Sequence, residues 1–218
     1  MKRIDLTRTI SEDMPVYPGT EPPRMAPANS YEKDGFKETL LTMYSHTGTH
    51  MDPPAHLLEG GLTLDRLPVD HFVGSALVVD CRDAGPGQSI GLPRILAAGD
   101  RGKAADYLLF NTGWNKYWGH PQYFGDYPFL TEEAAEYIAA TGKKGVGVDV
   151  IGVDPIADEN LTIHRLLFAN PRFVVIENLV NLELCGQELF TFVCLPLLWK
   201  EADGSPARAI AMLDGSFG

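Results

Sequence analysis

Apolar residues along this chain come mostly in short runs of strand length. Ser75-Ala-Leu-Val-Val-Asp80, Asp106-Tyr-Leu-Leu-Phe110 and Arg172-Phe-Val-Val-Ile-Glu177 are such runs, and each is expected to be a buried strand. Gly145-Val-Gly-Val-Asp-Val150 reads as another strand; its Gly-x-Gly lacks the third glycine of a dinucleotide fingerprint. Residues 3–10 read as a first strand, 38–45 as a strand leading into a histidine-rich stretch, and 207–213 as a last strand, after a strongly apolar segment at 189–198. Helical signals are fewer. Thr131 to Ala140 is the clearest: Thr131 is a good N-cap, Glu132 and Glu133 suit the positive end of the dipole, and Gly142 follows the end. Pro93 to Ala98 predicts a short helix with proline in its first turn. Leu161 to Ala169 predicts another, capped by Asn160 and stopped by Asn170-Pro171. Ser11–Pro27, Leu57–Val69, Asp83–Gly91 and the acidic Asp154–Glu159 read as loops. Short strands with few helices predict a mixed α/β fold, and 218 residues without repeat or linker read as one domain, 1–218.

Composition narrows the partners. The chain is 44% hydrophobic and 22% charged, ordinary for a soluble globular protein. Its formal net charge of -11 disfavours nucleic acid and anionic membranes, both of which select basic surfaces. The N-terminus, Met1-Lys2-Arg3-Ile4-Asp5, leads into no apolar stretch of signal-peptide type, and no apolar run reaches the roughly 20 residues that span a bilayer. Cys81, Cys185 and Cys194 are odd in number and far apart, so small core residues in a reducing cytoplasm are expected.

The chemistry concentrates in His46-Thr47-Gly48-Thr49-His50-Met51-Asp52-Pro53-Pro54-Ala55-His56, which holds three of the chain's six histidines. A helix would place Asp52 roughly 200° round from His50, and glycine, β-branched residues and two prolines oppose one. An extended backbone would direct His46, Gly48, His50 and Asp52 to one side, with Gly48 leaving room between the imidazoles. Pro53-Pro54 would then turn the chain and bring His56 back. Imidazoles with a carboxylate suit zinc, manganese or iron(II); the alternative is a polar strand edge with three unrelated histidines.

Further candidates lie elsewhere. Glu177 ends a strongly apolar run and needs a partner if buried; a metal would supply one. His164 lies on the short helix before it. Tyr17, between Pro15 and Pro18, is either presented in a fixed pose or plugs its loop to the core. Trp114, Tyr117 and Trp118 follow a strand end, where binding residues collect, or pack at a subunit interface. His71 is expected in a turn or at the surface, and His120 in solvent. There is no His-Glu-x-x-His, Gly-x-Ser-x-Gly, deaminase Pro-Cys-x-x-Cys or P-loop.

The pattern His46-x-Gly48-Thr49-His50-x-Asp52-x-Pro54-x-His56 resembles the signature of the cyclase family of metal-dependent hydrolases, which includes bacterial kynurenine formamidase and isatin hydrolase. Asp13-Met14-Pro15-Val16-Tyr17-Pro18-Gly19, Leu195-Pro196-Leu197 and Asp203-Gly204-Ser205-Pro206-Ala207-Arg208-Ala209 extend the resemblance over nearly the whole chain. It implies a swivelling β/β/α fold and a homodimer or homotetramer. It implies two divalent ions per chain, zinc or manganese with iron(II) also admitted: His46 and His50 hold one, His164 the other, and Asp52 and Glu177 bridge. His56 is then the general acid/base or, alternatively, a further ligand. The implied reaction is hydrolysis of N-formylkynurenine to kynurenine and formate, a step of tryptophan catabolism. The alternatives are an isatin-type cyclic amide hydrolase and a non-catalytic metal-binding protein. Tyr17 stands where the formamidases carry a substrate-stacking tryptophan, a departure that bears on substrate identity.

Overall fold

The protein is described here from a computed structural model, which covers residues 2–213. Twelve strands are formed: β1 Lys2–Asp5, β2 Arg24–Asn29, β3 Glu38–Thr42, β4 His50–Asp52, β5 Val73–Asp80, β6 Ser89–Ile90, β7 Tyr107–Asn111, β8 Phe129–Leu130, β9 Gly145–Val148, β10 Val174–Glu177, β11 Phe190–Pro196 and β12 Ser205–Leu213. Five short helices join them: α1 Tyr31–Asp34, α2 Leu92–Leu96, α3 Gly99–Ala104, α4 Glu132–Ala140 and α5 Thr162–Leu167.

The main sheet runs in the order β1-β12-β11-β5-β7-β9-β10-β4, and β4 also pairs with β12. The seven strands from β12 round to β4 therefore close on themselves, with β1 added to the free part of β12. β5, β7, β9 and β10 are parallel; β4, β11 and β12 pair antiparallel. The parallel strands are joined through helices, as parallel connections require. This is the mixed α/β fold that the short apolar runs predict.

Alternation along each strand divides the core in two. Tyr107, Leu109, Val174, Ile176 and Met51 fill the interior of the closed sheet with Phe192, Ala209 and Ala211. Leu108, Phe110, Val146, Val148 and Val175 face outward and are covered by Ala134, Ala135 and Ile138 of α4 and Ile163 and Leu167 of α5. Parallel strands buried on both faces read as continuous apolar runs, which is why they were visible in the sequence.

Several boundaries differ from expectation. β1 stops at Asp5, where its pairing to β12 stops. β3 pairs only with β2, in a hairpin whose residues are nearly all exposed. α4 is as predicted, with Thr131 Oγ1 accepting from the Ala134 N–H at 3.2 Å. Asn160 does not cap α5: the Thr162 N–H goes to Asp158 Oδ2 at 3.0 Å, and Asp154 takes the next, from Ile163. Ionised carboxylates make the stronger caps at a positive helix end. Cys81, Cys185 and Cys194 are free and buried. No helix among the described residues is long and apolar enough to cross a membrane.

Candidate metal centre

Strand register builds the first half of the site. β10 and β4 run antiparallel with Glu177 opposite His50 and Ile176 opposite Met51. Met51 and Ile176 point into the closed sheet, so His50, Asp52 and Glu177 share its outer face. His50 Nε2 lies 3.3 Å from Glu177 Oε2 and 3.4 Å from Asp52 Oδ1. The ring's other nitrogen, Nδ1, donates to the Gly48 carbonyl at 2.8 Å, which leaves Nε2 for the site.

His46 arrives by another route than the extended segment expected. Only residues 50–52 are strand, and Gly48 turns the chain with φ +67°. That left-handed conformation favours glycine, and a Cβ there would press on Ile10 rather than stand between the imidazoles. The turn still brings His46 Nδ1 within 2.6 Å of Asp52 Oδ1. His164 comes from α5, with Nε2 3.3 Å from Glu177 Oε1 and 3.8 Å from Asp52 Oδ2. Its Nδ1 is hydrogen-bonded to the buried Asp154 carboxylate, which fixes the ring and turns Nε2 inward.

Two triads result, His46/His50/Asp52 and Asp52/His164/Glu177, each with one donor atom per residue within 4.8 Å of the others. Asp52 belongs to both. The nitrogens His46 Nε2 and His164 Nε2 are buried with no hydrogen-bond partner among the described residues, a costly state for a polar atom that a cation relieves. Imidazole and carboxylate donors in this number suit a divalent transition metal.

Electrostatics agree with a site built for cations. Burial alone would lower the His50 imidazole, but the Asp52 and Glu177 carboxylates outweigh it and push it up to about 9. Burial is likewise outweighed at His164, held well above its ordinary value by Asp154, Asp52 and Glu177. Burial would raise the Asp52 carboxyl, yet His50 and His46 hold it well below the usual range. Burial and Asp52 press Glu177 upward, but His164 and His50 bring it below its ordinary value. A metal taken up here would therefore displace protons from His50 and His164.

His56 follows the two prolines in a 3-10 turn, Pro54–His56, and returns to the site as expected. Its ring centroid is 4.0 Å from that of His46 and 6.3 Å from that of His164. Burial lowers its pKa, favouring the neutral imidazole. All six of these residues open on one cleft of about 330 Å³. Tyr17 stands on its wall, 48% exposed, so it does not plug the core. Tyr44, Tyr127, Ile151 and Ile156 line it too; neither these nor Asp154 stood out in the sequence, where only the position of Asp154 ten residues before His164 was a signal.

The aromatic loop packs on the core and not along the cleft. The Trp114 indole is buried and donates to the Tyr123 carbonyl at 3.2 Å, while Tyr117 and Trp118 pack on the same core. None of the three lines the cleft. His71 is buried rather than at the surface, although it does sit in a turn, and His120 is exposed as expected.

Fold and site together define an α/β protein with a candidate metal centre arranged around one shared carboxylate. The chain belongs to the "Putative cyclase" family, whose pattern matches residues 4–155. It is 32% identical to the kynurenine formamidase of Bacillus cytotoxicus, with 95% of each chain covered. Among solved structures it is similar to isatin hydrolase A from Labrenzia aggregata bound to benzyl benzoate, with TM-score 0.87, 24% identity and coverage of 98% of this chain and 94% of the other. It is also similar to a structure described as a potential metal-dependent hydrolase with cyclase activity, with TM-score 0.77, 28% identity and 96% of each chain covered.

Proposed function

We propose that this protein is a metal-dependent hydrolase of an amide carbon–nitrogen bond, an arylformamidase that converts N-formylkynurenine and water to kynurenine and formate. The observation that carries the reading is the shared Asp52 between two histidine–carboxylate triads, with His56 beside them over an aromatic-walled cleft. The full-length similarity to a kynurenine formamidase points to the same substrate.

In this reading His46, His50 and Asp52 would hold one divalent ion and His164, Glu177 and Asp52 a second. Zinc and manganese fit this donor set, as does iron(II). Ions bound there supply a lowered pKa for water and polarisation of the scissile carbonyl. His56, neutral at rest, takes the proton from the attacking water and gives it to the leaving aryl amine as the C–N bond breaks. Tyr17 offers its ring face to the aromatic substrate. Opening of an isatin-type cyclic amide is the second reading, since a ring-closed aryl amide meets the same groups and the same wall.

We further infer a homodimer or homotetramer, because the β2–β3 hairpin and its connection expose Tyr31, Phe36, Leu40 and Leu41. A reducing cytoplasm suits the three free buried cysteines.

The test is metal content per chain, with turnover of N-formylkynurenine and isatin measured on the same preparation. Close to two ions in wild type, fewer in Glu177→Ala, and turnover of the formamide are expected. His56→Ala should keep its metal and lose about 10²–10⁴-fold in kcat. No metal uptake on reconstitution would overturn the metal centre; metal without hydrolysis of either substrate would overturn the hydrolase.

A further inference from the structure

The carbonyl oxygen of Gly48 takes two buried hydrogen bonds. One comes from His50 Nδ1 at 2.8 Å, the other from Asn178 Nδ2 at 2.9 Å. The Asn178 amide is held at its other end too, where the Tyr123 hydroxyl donates to Oδ1 at 2.6 Å. The reverse amide orientation would set Oδ1 against the Gly48 carbonyl, acceptor against acceptor. The Gly48 carbonyl, which can only accept, thus fixes the amide orientation, and the Tyr123 hydroxyl anchors the amide by its Oδ1.

The backbone of Asn178 tightens the same link. Its N–H donates to the Val150 carbonyl at 2.9 Å, and its own carbonyl accepts from Thr49 Oγ1 at 2.8 Å. Its φ of +59° is one that asparagine tolerates better than most residues. Asn178 thus follows Glu177 directly and grips both residues that precede His50. Tyr123 is fully buried and does not line the cleft. Phenylalanine would fill the same space, so packing alone does not account for its hydroxyl.

A carbonyl can receive only a nitrogen that bears a proton. With Gly48 held in place, His50 must keep a proton on Nδ1, so Nε2, which faces Asp52 and Glu177, is the nitrogen left to receive a metal. We propose that Tyr123 and Asn178 are positioning residues that set the tautomer and aim of His50, and with them the affinity of the His46/His50 metal position. This rests on the reading of His50 as a ligand.

The test uses metal-stripped full-length protein and Zn²⁺ in competition with a chromophoric chelator. Tyr123→Phe should weaken one of the two binding steps about 10–100-fold and leave the other nearly unchanged. Asn178→Gly, which retains the positive φ, should weaken the same step. The double variant should be no weaker than Asn178→Gly, because both changes cut one path. Tyr107→Phe is the control: it removes another buried phenol hydrogen bond, to the His71 carbonyl, away from the cleft. Unchanged Zn²⁺ affinity in Tyr123→Phe, or equal weakening in Tyr107→Phe, would overturn the proposal even if Asn178→Gly failed to fold. Wild type that takes up no Zn²⁺ would instead overturn the metal centre itself, a result told apart by the wild-type titration alone.

Discussion

A Cβ placed on Gly204 would lie 2.3 Å from Cε1 and 2.5 Å from Nε2 of His46. The ring lies against that backbone, so Gly204→Ala must displace the imidazole from its present place beside Asp52. We expect Zn²⁺ affinity to fall at least about tenfold in chelator competition; affinity equal to wild type would show that His46 can shift without cost. His71 offers a test remote from the cleft. Burial, with repulsion from Lys144 and Arg172, lowers its imidazole from 6.5 to about 4. A histidine held neutral in the folded state gains its proton on unfolding at lower pH. Its contribution is therefore intact above pH 6.5 and lost as pH falls from 6.5 towards 4. His71→Gln should flatten this limb by on the order of 1–2 kcal/mol between pH 6.5 and 5, read from urea midpoints. A variant that loses stability as steeply as wild type would refute the assignment. At this scale the sequence was most legible around His46–His56, where spacing alone placed His50 and Asp52 on one face. Asn178 and Gly204 were not legible, because each acts on a histidine remote in sequence, and Asp154 reaches His164 only through the fold of the loop between them.

Elements were legible where their signals are local. Buried parallel strands announce themselves as apolar runs, and α4 by its cap and periodicity. Thr131→Ala should cost about 1 kcal/mol of stability while metal content stays at the wild-type level. A loss of metal together with stability would mean that α4 supports the site more directly than its position on the outer face suggests. Strand ends were less legible, because partners decide them: β1 ends with its register to β12, and the extended segment expected from His46 begins only at His50. The cap of α5 went to Asp158 and Asp154 rather than Asn160 because the loop folds both carboxylates under the helix. That fold also gives His164 its partner, so one loop starts the helix and orients the imidazole.

The closed sheet is what assembles the site. β4 lies between β10 and β12, pairing His50 with Glu177 on one side and with Pro206 on the other. Residues from the first and last quarters of the chain thereby meet. Outside this frame the hairpin projects with Leu40 60% and Leu41 53% exposed. Adjacent strand residues face opposite ways, so both hairpin faces carry an apolar side chain. We expect wild type to show the mass of two or four chains by light scattering, and Leu40→Glu/Leu41→Glu that of one. A wild-type mass of one chain would remove the oligomer.

The sequence by itself determined the buried strands of the main sheet, the clearest helix and the chemical character of the site. Local periodicity and the reactive types of three histidines and a carboxylate within eleven residues are properties of neighbours along the chain. Only the tertiary structure decided which nitrogen each histidine presents, which carboxylate both triads share, and that the aromatic loop is core rather than cleft. Those depend on hydrogen bonds and packing between segments far apart in sequence, which exist only once the sheet has closed.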